Sequence, residues 1–320
     1  MWFVFSLACM LFWGAADLFY KKGSDERDRY SHLKIGVWVG VVMGVCAVAL
    51  MPFSETKFSV SSLLINAVKY SPASLCYIIS MVIGYAGLRY LEVSIVSPVQ
   101  NASGALSAAA MFVYFSLKGQ LGGFREEFSV LDVAGTVVII VGVVALGVVE
   151  QRLSTAESGL APQDRKYRFG ALALIFPILY CVFDTIGTSA DGIILDEKSG
   201  LGLGEIDVLV LYGLTFFAAG IVAWLYLFIK NKKPYNPCAK GERVKGVAAL
   251  CEEGGQIFYV YAMASKPILA APMVASYCIV SAILARIFIK EKLKASQYAC
   301  VAAVVAGIVA LGISEGLAEG

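Results

Sequence analysis

Hydrophobic residues in this chain fall into long blocks, and charged residues are confined to the gaps between them. Ten blocks stand out, at roughly 2–20, 35–53, 72–90, 93–117, 131–149, 169–194, 206–229, 245–264, 268–289 and 296–313. Each approaches the roughly 20 residues that a helix needs to cross the hydrocarbon core of a bilayer. The pattern predicts an all-α integral membrane protein of ten transmembrane helices. Its connections are too short to hold a separate soluble domain of ordinary size.

Composition agrees with the pattern. Of 320 residues, 59% are hydrophobic and 16% charged, with a mean hydropathy of +0.76. Soluble domains run at roughly 45–50% apolar and 25% charged. There is no basic tail and no basic patch interleaved with aromatic residues, so nucleic acid is not expected as a partner. Seven of the eight cysteines (Cys9, Cys46, Cys76, Cys181, Cys251, Cys278 and Cys300) fall inside the blocks without C-x-x-C spacing, as small core residues would. A single histidine, His32, speaks against a histidine-built metal site or catalytic triad. No cofactor motif is present. The first block lacks a basic leading segment and is read as a helix of the bundle, not as a signal peptide.

The chain repeats itself. "GVVALG" at 142–147 and "GIVALG" at 307–312 differ at one position and lie 165 residues apart. With the offset free to change in loops, Pro98 falls on Pro272, Tyr85 on Tyr259, Ser107 on Ser281 and Asp17 on Asp184. The last match carries an aromatic four residues earlier in both copies, Trp13 and Tyr180. The predicted organisation is therefore a first five-helix repeat over 1–150, a connecting loop over 151–168 and a second repeat over 169–320. Five is odd, so the second repeat enters the membrane from the opposite side. Inverted repeats of this kind mark many secondary transporters, which bind substrate between the halves near the midplane.

Three segments carry a family resemblance: "FWGAADLFYKK" (12–22), "YAGLRYLEVSIVSPV" (85–99) and "IFIKEKLKASQYACVAAVVAGIVALG" (287–312). Together the chain resembles the drug/metabolite transporter (DMT) superfamily, EamA-type, over nearly its whole length, although each motif alone is weak. The resemblance implies ten helices in two inverted five-helix repeats. It also implies carriage of amino acids, nucleotide sugars, amines or other small metabolites by alternating access.

Placement of basic residues predicts orientation, because cytoplasmic loops are rich in Lys and Arg. Of the 26, 20 lie in loops that follow odd-numbered spans and 6 in loops that follow even-numbered ones. This places the protein in the cytoplasmic membrane with both termini extracytoplasmic, the reverse of the family expectation, in which the basic loop follows the second helix.

Carboxylates inside the hydrocarbon region cost at least ~2.5–3.5 kcal/mol and mark functional sites by default. Asp17 precedes Lys21 by four residues, so an intrahelical pair at the membrane boundary competes with a site role. Asp184 lies mid-span with no basic residue within a turn. Asp191, close to the end of the same span, is expected at the interface. In "CEEGGQIFYVYAM", Glu252, Gln256, Tyr259 and Met263 share one helix face, and Glu253 falls on the neighbouring apolar stripe. Gly254 and Gly255 permit close packing or close approach of a substrate. Gln100 and Asn101 follow Pro98, which is expected to kink its helix as Pro272 does, and they could serve as interhelical glue or as substrate contacts.

The aromatics Trp13, Tyr77, Tyr85, Tyr180, Tyr259, Tyr261 and Tyr277 collect near these positions, and no Lys or Arg lies near the middle of a span. Aromatic faces beside acids suit a cationic group. The expectation is a secondary transporter of a small cationic or zwitterionic metabolite such as an amine, a quaternary ammonium or an amino acid, with proton coupling through a buried acid. The substrate-binding or coupling residues are expected to be Glu252, Asp184, Gln256, Tyr259, Asn101, Gln100, Trp13, Tyr180, Asp17, Tyr85 and Tyr277. A neutral cargo, such as a nucleoside or vitamin, is the alternative. Among other classes stand a polytopic membrane enzyme, for which no convergent catalytic set is present, and a non-transporting sensor or scaffold. The partners expected are the substrate and the lipid bilayer, with the protein a monomer or a homodimer.

Overall fold

The computed structural model describes residues 1–23, 28, 30–54, 60–87, 93–121, 128–157, 175–196, 200–239, 241–289 and 294–319. Every regular element among them is helical. In chain order these are α1 (Trp2–Gly23), α2 (Ser31–Leu50), α3 (Val60–Gly87), α4 (Val93–Leu117), α5 (Val130–Glu157), α6 (Ile175–Ile194), α7 (Glu205–Asn231), α8 (Arg243–Ser265), α9 (Pro267–Ala275), α10 (Tyr277–Leu284) and α11 (Ala295–Glu319).

Among the described residues, seven stretches are long and apolar enough to cross a membrane: 2–20, 31–53, 61–84, 130–149, 205–231, 267–288 and 295–318. Their outward faces carry exposed aliphatic residues, among them Val45, Leu64, Val68, Val141, Val222, Ile229 and Val309. Water would penalise such a surface, and lipid would not. The helices outside this set, α4, α6 and α8, carry most of the polar residues singled out in the sequence.

Several boundaries differ from the sequence reading: α5 runs on to Glu157, into the segment read as a connecting loop, and α11 runs on to Glu319. α3 begins at Val60, well before residue 72, because Lys69 stays exposed on the helix surface and Pro72 is accommodated within the helix. The span predicted at 268–289 is divided: α9 ends at Ala275, α10 starts at Tyr277, and a π-helical turn follows over 285–289. Ser276, between them, turns its hydroxyl onto the Met273 carbonyl at 2.5 Å. The kink expected at Pro272 thus appears as a break four residues later, where a serine satisfies a backbone acceptor locally. The part of the sixth span at 169–174 lies outside the described residues.

The main packing partners are α2 with α7, α1 with α8, α5 with α11, and α3 with α6, while α4 packs on α5, α6 and α9. Small residues set how closely they approach. A Cβ placed on Gly40 would stand 2.8 Å from the Gly220 Cα, and one on Gly135 would stand 2.9 Å from the Gly307 carbonyl oxygen. Helices in lipid gain little from hydrophobic burial against each other, so such close backbone approach is a principal source of cohesion. The helices that carry the two near-identical segments are thereby in direct contact: Gly142 faces Val304, and Gly307 faces Gly135 and Ile139.

Polar contacts close both ends of the bundle. At one end, Trp2 Nε1 donates to Glu315 at 2.5 Å, Lys266 lies 3.5 Å from the same carboxylate, and the Ser129 and Ser314 hydroxyls meet at 2.6 Å. At the other, Lys34 pairs with Asp28 at 2.7 Å and with Glu242 at 3.5 Å, while Lys245 reaches Glu242 at 2.5 Å.

Candidate functional site

The α1–α8 seam is built around Trp13. Its indole stacks on the Tyr259 ring with centroids 5.3 Å apart and meets Tyr277 edge-on at 5.8 Å. Its Nε1 donates to the Glu252 carbonyl oxygen at 3.1 Å. The sequence makes room for this ring. A Cβ at position 255 would lie 2.1 Å from the indole Cδ1, so only glycine allows the tryptophan to lie flat on α8. One residue earlier, Gly254 admits Phe12, which stacks with Phe258.

Acids gather on the same seam. Ser281 on α10 donates to the Asp17 carboxylate at 2.8 Å. The charged side chains acting on Glu252 are Asp17, Glu253 and Asp184, all acidic. A site with several acids and aromatic faces favours a positively charged guest on elementary electrostatic grounds. The Lys21 side chain, the candidate intrahelical partner of Asp17, lies outside the described residues.

The α3–α6 seam holds a second polar cluster. Tyr70 donates to Asp191 Oδ1 at 2.9 Å, and Tyr77 donates to Thr188 at 3.2 Å. Tyr77 fits because Gly187 leaves a gap: a Cβ there would stand 3.2 Å from its ring. The Tyr77 and Tyr259 hydroxyls meet at 2.6 Å and join the two seams. Tyr212 of α7 packs edge-on against Tyr77.

α4 divides its polar residues between two neighbours. Gln100 lies beside Gly84 and Tyr180, whose ring fills the space that a Gly84 side chain would occupy. Ser103 hydrogen-bonds the Asp184 carboxylate, and Ser107 donates to the Thr185 carbonyl at 3.3 Å. Asn101 does not join them. It points with Ala105 toward α5 and α9, lining a small crevice with Val143, Pro272 and Ala275. Adjacent helix positions differ by about 100° in direction, so the pair read together in the sequence is separated in space.

The expected stripe on α8 is therefore a buried face. Gln256 and Tyr259 are each 2% exposed, Glu252 is half-buried, and the Gln256 amide nitrogen has no hydrogen-bond partner among the described residues. Glu253, assigned to the apolar stripe, is also buried and is hydrogen-bonded with the Cys46 thiol. Asp191, expected at the membrane interface, is 0% exposed. It is near the end of its own helix, but α3 packs over it. Tyr85 and Pro98 have side chains outside the described residues. Tyr70 and Tyr212 were not singled out from the sequence, although the i, i+7 spacing of Tyr70 and Tyr77 places both on one face of α3.

At the end of the bundle that holds Glu242, outside the spans, the electrostatics invert. Burial pulls the Glu242 carboxyl upward, but hydrogen bonds from Lys245 and Tyr235 and the Lys34 charge outweigh it and hold the group below its ordinary value. Asp28 is likewise lowered, burial being offset by Lys34 and the Tyr30 amide. Cations belong to this end and acids to the interior.

No family model matches the chain, and no curated protein does. Among the solved structures that resemble it, one titled only "Crystal structure of protein" superposes with a TM-score of 0.61 at 14% identity, covering 100% of this chain and 99% of that chain. The likeness is one of fold alone.

Proposed function

We propose that the protein is a ten-helix secondary transporter of the DMT type, built from two inverted halves, that carries a small organic cation or zwitterion across the cytoplasmic membrane. The observation that carries the reading is the α1–α8 seam, where Trp13, Tyr259 and Tyr277 surround a position acted on by Glu252, Asp17 and Asp184. Among the described groups that act on Glu252 there is no basic partner for phosphate-bearing cargo.

The packing supports the two-half organisation. Exchanging α1 with α6, α2 with α7, α3 with α8, α4 with α9–α10 and α5 with α11 turns α1–α8 into α6–α3. It returns α2–α7, α5–α11 and α4–α9 to themselves. At the 165-residue offset, the Gly135–Gly307 contact maps onto Gly142–Cys300, which is also a close approach. The α1–α8, α3–α6, α2–α7 and α5–α11 pairs all run antiparallel, since rising numbers in one helix meet falling numbers in the other. Ten alternating spans require this.

Within this reading, the basic end that holds Lys34 and Lys245 faces the cytoplasm and both termini lie outside. A neutral cargo bearing a carbonyl is the second reading, favoured by the unpartnered Gln256 amide. Thermal-shift screening of the purified protein separates them, because a ligand that binds only the folded state raises Tm by mass action. Choline, tetramethylammonium and arginine are expected to stabilise it. Stabilisation by nucleosides alone would favour the second reading, and stabilisation by sugar phosphates alone would overturn both.

A further inference from the structure

Asp191 is 0% exposed, and among the described residues no Lys or Arg faces it. Oδ1 accepts from Tyr70, the Tyr77 hydroxyl also lies against the carboxyl, and Oδ2 makes no hydrogen bond of ordinary geometry among the described residues. The groups that face it can be named helix by helix. α3 supplies the Tyr70 and Tyr77 hydroxyls, α7 supplies Tyr212, and α8 supplies Tyr259. α6 itself supplies Asp184, a further acid, and α4 supplies only the serines of the Asp184 face. The approach from α9 is Pro267, and the neighbouring Lys266 is turned away toward Glu315 and the Trp2 ring. No Lys or Arg is among these groups.

A buried ionised carboxylate left in this condition costs several kcal/mol. A proton on the carboxyl would remove that cost, and the charged form needs water to reach it. A Cβ on Gly192 would meet Met111 Sδ at 2.3 Å, Pro267 at 2.9 Å and Met263 at 3.3 Å, so α6 is tightly packed at the residue that follows Asp191. The hydroxyl contacts lead the other way. Tyr77, whose hydroxyl also lies against the Asp191 carboxyl, meets the Tyr259 hydroxyl at 2.6 Å, and Tyr259 stacks on Trp13 in the proposed substrate site.

We propose that Asp191 is a proton-binding site distinct from the substrate site, loaded and emptied through the Tyr77–Tyr259 hydroxyl bridge as the transporter changes access. The inference rests on the transporter reading above. Tyr77 gives its hydroxyl proton to the carboxylate as Tyr259 replaces it, and water at the Trp13 seam replenishes Tyr259. One O–H bond forms on Asp191 for the proton withdrawn from water, and no electrons are exchanged. Substrate charge at Glu252 and proton occupancy at Asp191 then communicate through two hydroxyls.

Infrared spectroscopy of the purified protein at neutral pH tests the site with the proton itself as ligand. A protonated carboxylic acid carbonyl band is expected, lost in Asp191→Asn and moved to higher frequency in Tyr70→Phe, which removes one hydrogen bond. An unchanged acid region in Asp191→Asn overturns the proposal. Coupling is tested in proteoliposomes with choline and tetramethylammonium. Asp191→Asn is expected to lose accumulation driven by a pH gradient by at least about tenfold while gradient-free counterflow stays within about twofold. Retained pH-driven accumulation would refute the assignment, as would accumulation that follows a sodium gradient at fixed pH. Wild-type protein that moves neither cation, yet shows the Asp191 band, would count against the transporter reading and leave the proton site standing.

Discussion

The α1–α8 and α3–α6 seams pair helices in the same antiparallel sense, each with an aromatic pressed on a glycine: Trp13 on Gly255 in one, Tyr180 on Gly84 in the other. Their chemistry diverges. The first presents Glu252 beside an indole and two phenols, half-open to the interior. The second buries Asp191 among Tyr70, Tyr77 and Thr188. In the proposed alignment of the halves Glu252 falls on Ile78 and Gln256 on Val82, and Val82 is exposed while Gln256 is buried. Under the proposed function, the first seam holds the acid that a guest reaches and the second the acid that only a proton reaches.

The sharpest way to break that comparison is to refill the glycines. Gly255→Ala drives a methyl into the Trp13 ring and should lower stability by about 3 kcal/mol, in the upper part of the overpacking range. Gly84→Ala meets Tyr180 Cδ2 at 2.6 Å, a ring at the end of one side chain, and should cost about 1 kcal/mol. Denaturation in detergent followed by Tm measures both. Equal effects would show that Trp13 is no more constrained than Tyr180.

Next in size is Tyr70→Phe, which leaves Asp191 Oδ1 without its donor and should cost about 1–3 kcal/mol. An unchanged Tm would mean that water already satisfies that oxygen.

Much of this was legible in the residues. The blocks of apolar sequence gave the helices, and "GVVALG" with "GIVALG" marked α5 and α11, which pack directly on each other through Gly135 and Gly307. Trp13, Tyr277 and the α8 pair Glu252 and Tyr259, candidates on three separate helices, converge on one seam. Burial was harder to read. Asp191 looked interfacial because depth along a helix can be counted in a sequence, whereas cover by another helix cannot. Asn101 and Gln100 were read as one unit, since adjacency in sequence conceals the 100° turn between them. The break at Ser276 escaped notice because the nearby proline drew the expectation to itself.

Smaller effects sharpen the contrast between interior and ends. Trp13→Phe keeps an aromatic face but loses the bond to the Glu252 carbonyl, and should weaken choline binding by about fivefold, near 1 kcal/mol. Binding unchanged by this substitution would remove the indole from the site.

The smallest effect is at the Lys34–Glu242–Lys245 cluster. The folded Glu242 lies below the ordinary glutamate value of 4.5, so its stabilisation is present above that pH and is lost as pH falls through the lowered folded value. Glu242→Gln should flatten the acid limb of Tm against pH and cost under about 1 kcal/mol at neutral pH, since the group is partly solvated. An acid limb identical to wild type would show that the cluster contributes nothing measurable.

The central claim, that acids and aromatics between the halves bind a cation, is tested most directly by comparing wild-type and Glu252→Gln protein in proteoliposomes. Labelled choline and tetramethylammonium would be offered with and without excess sugar phosphate. The account predicts saturable uptake in the wild type that sugar phosphate does not inhibit and that Glu252→Gln reduces by at least about tenfold. Uptake unchanged by that substitution at every pH, or uptake of sugar phosphate alone, would contradict it.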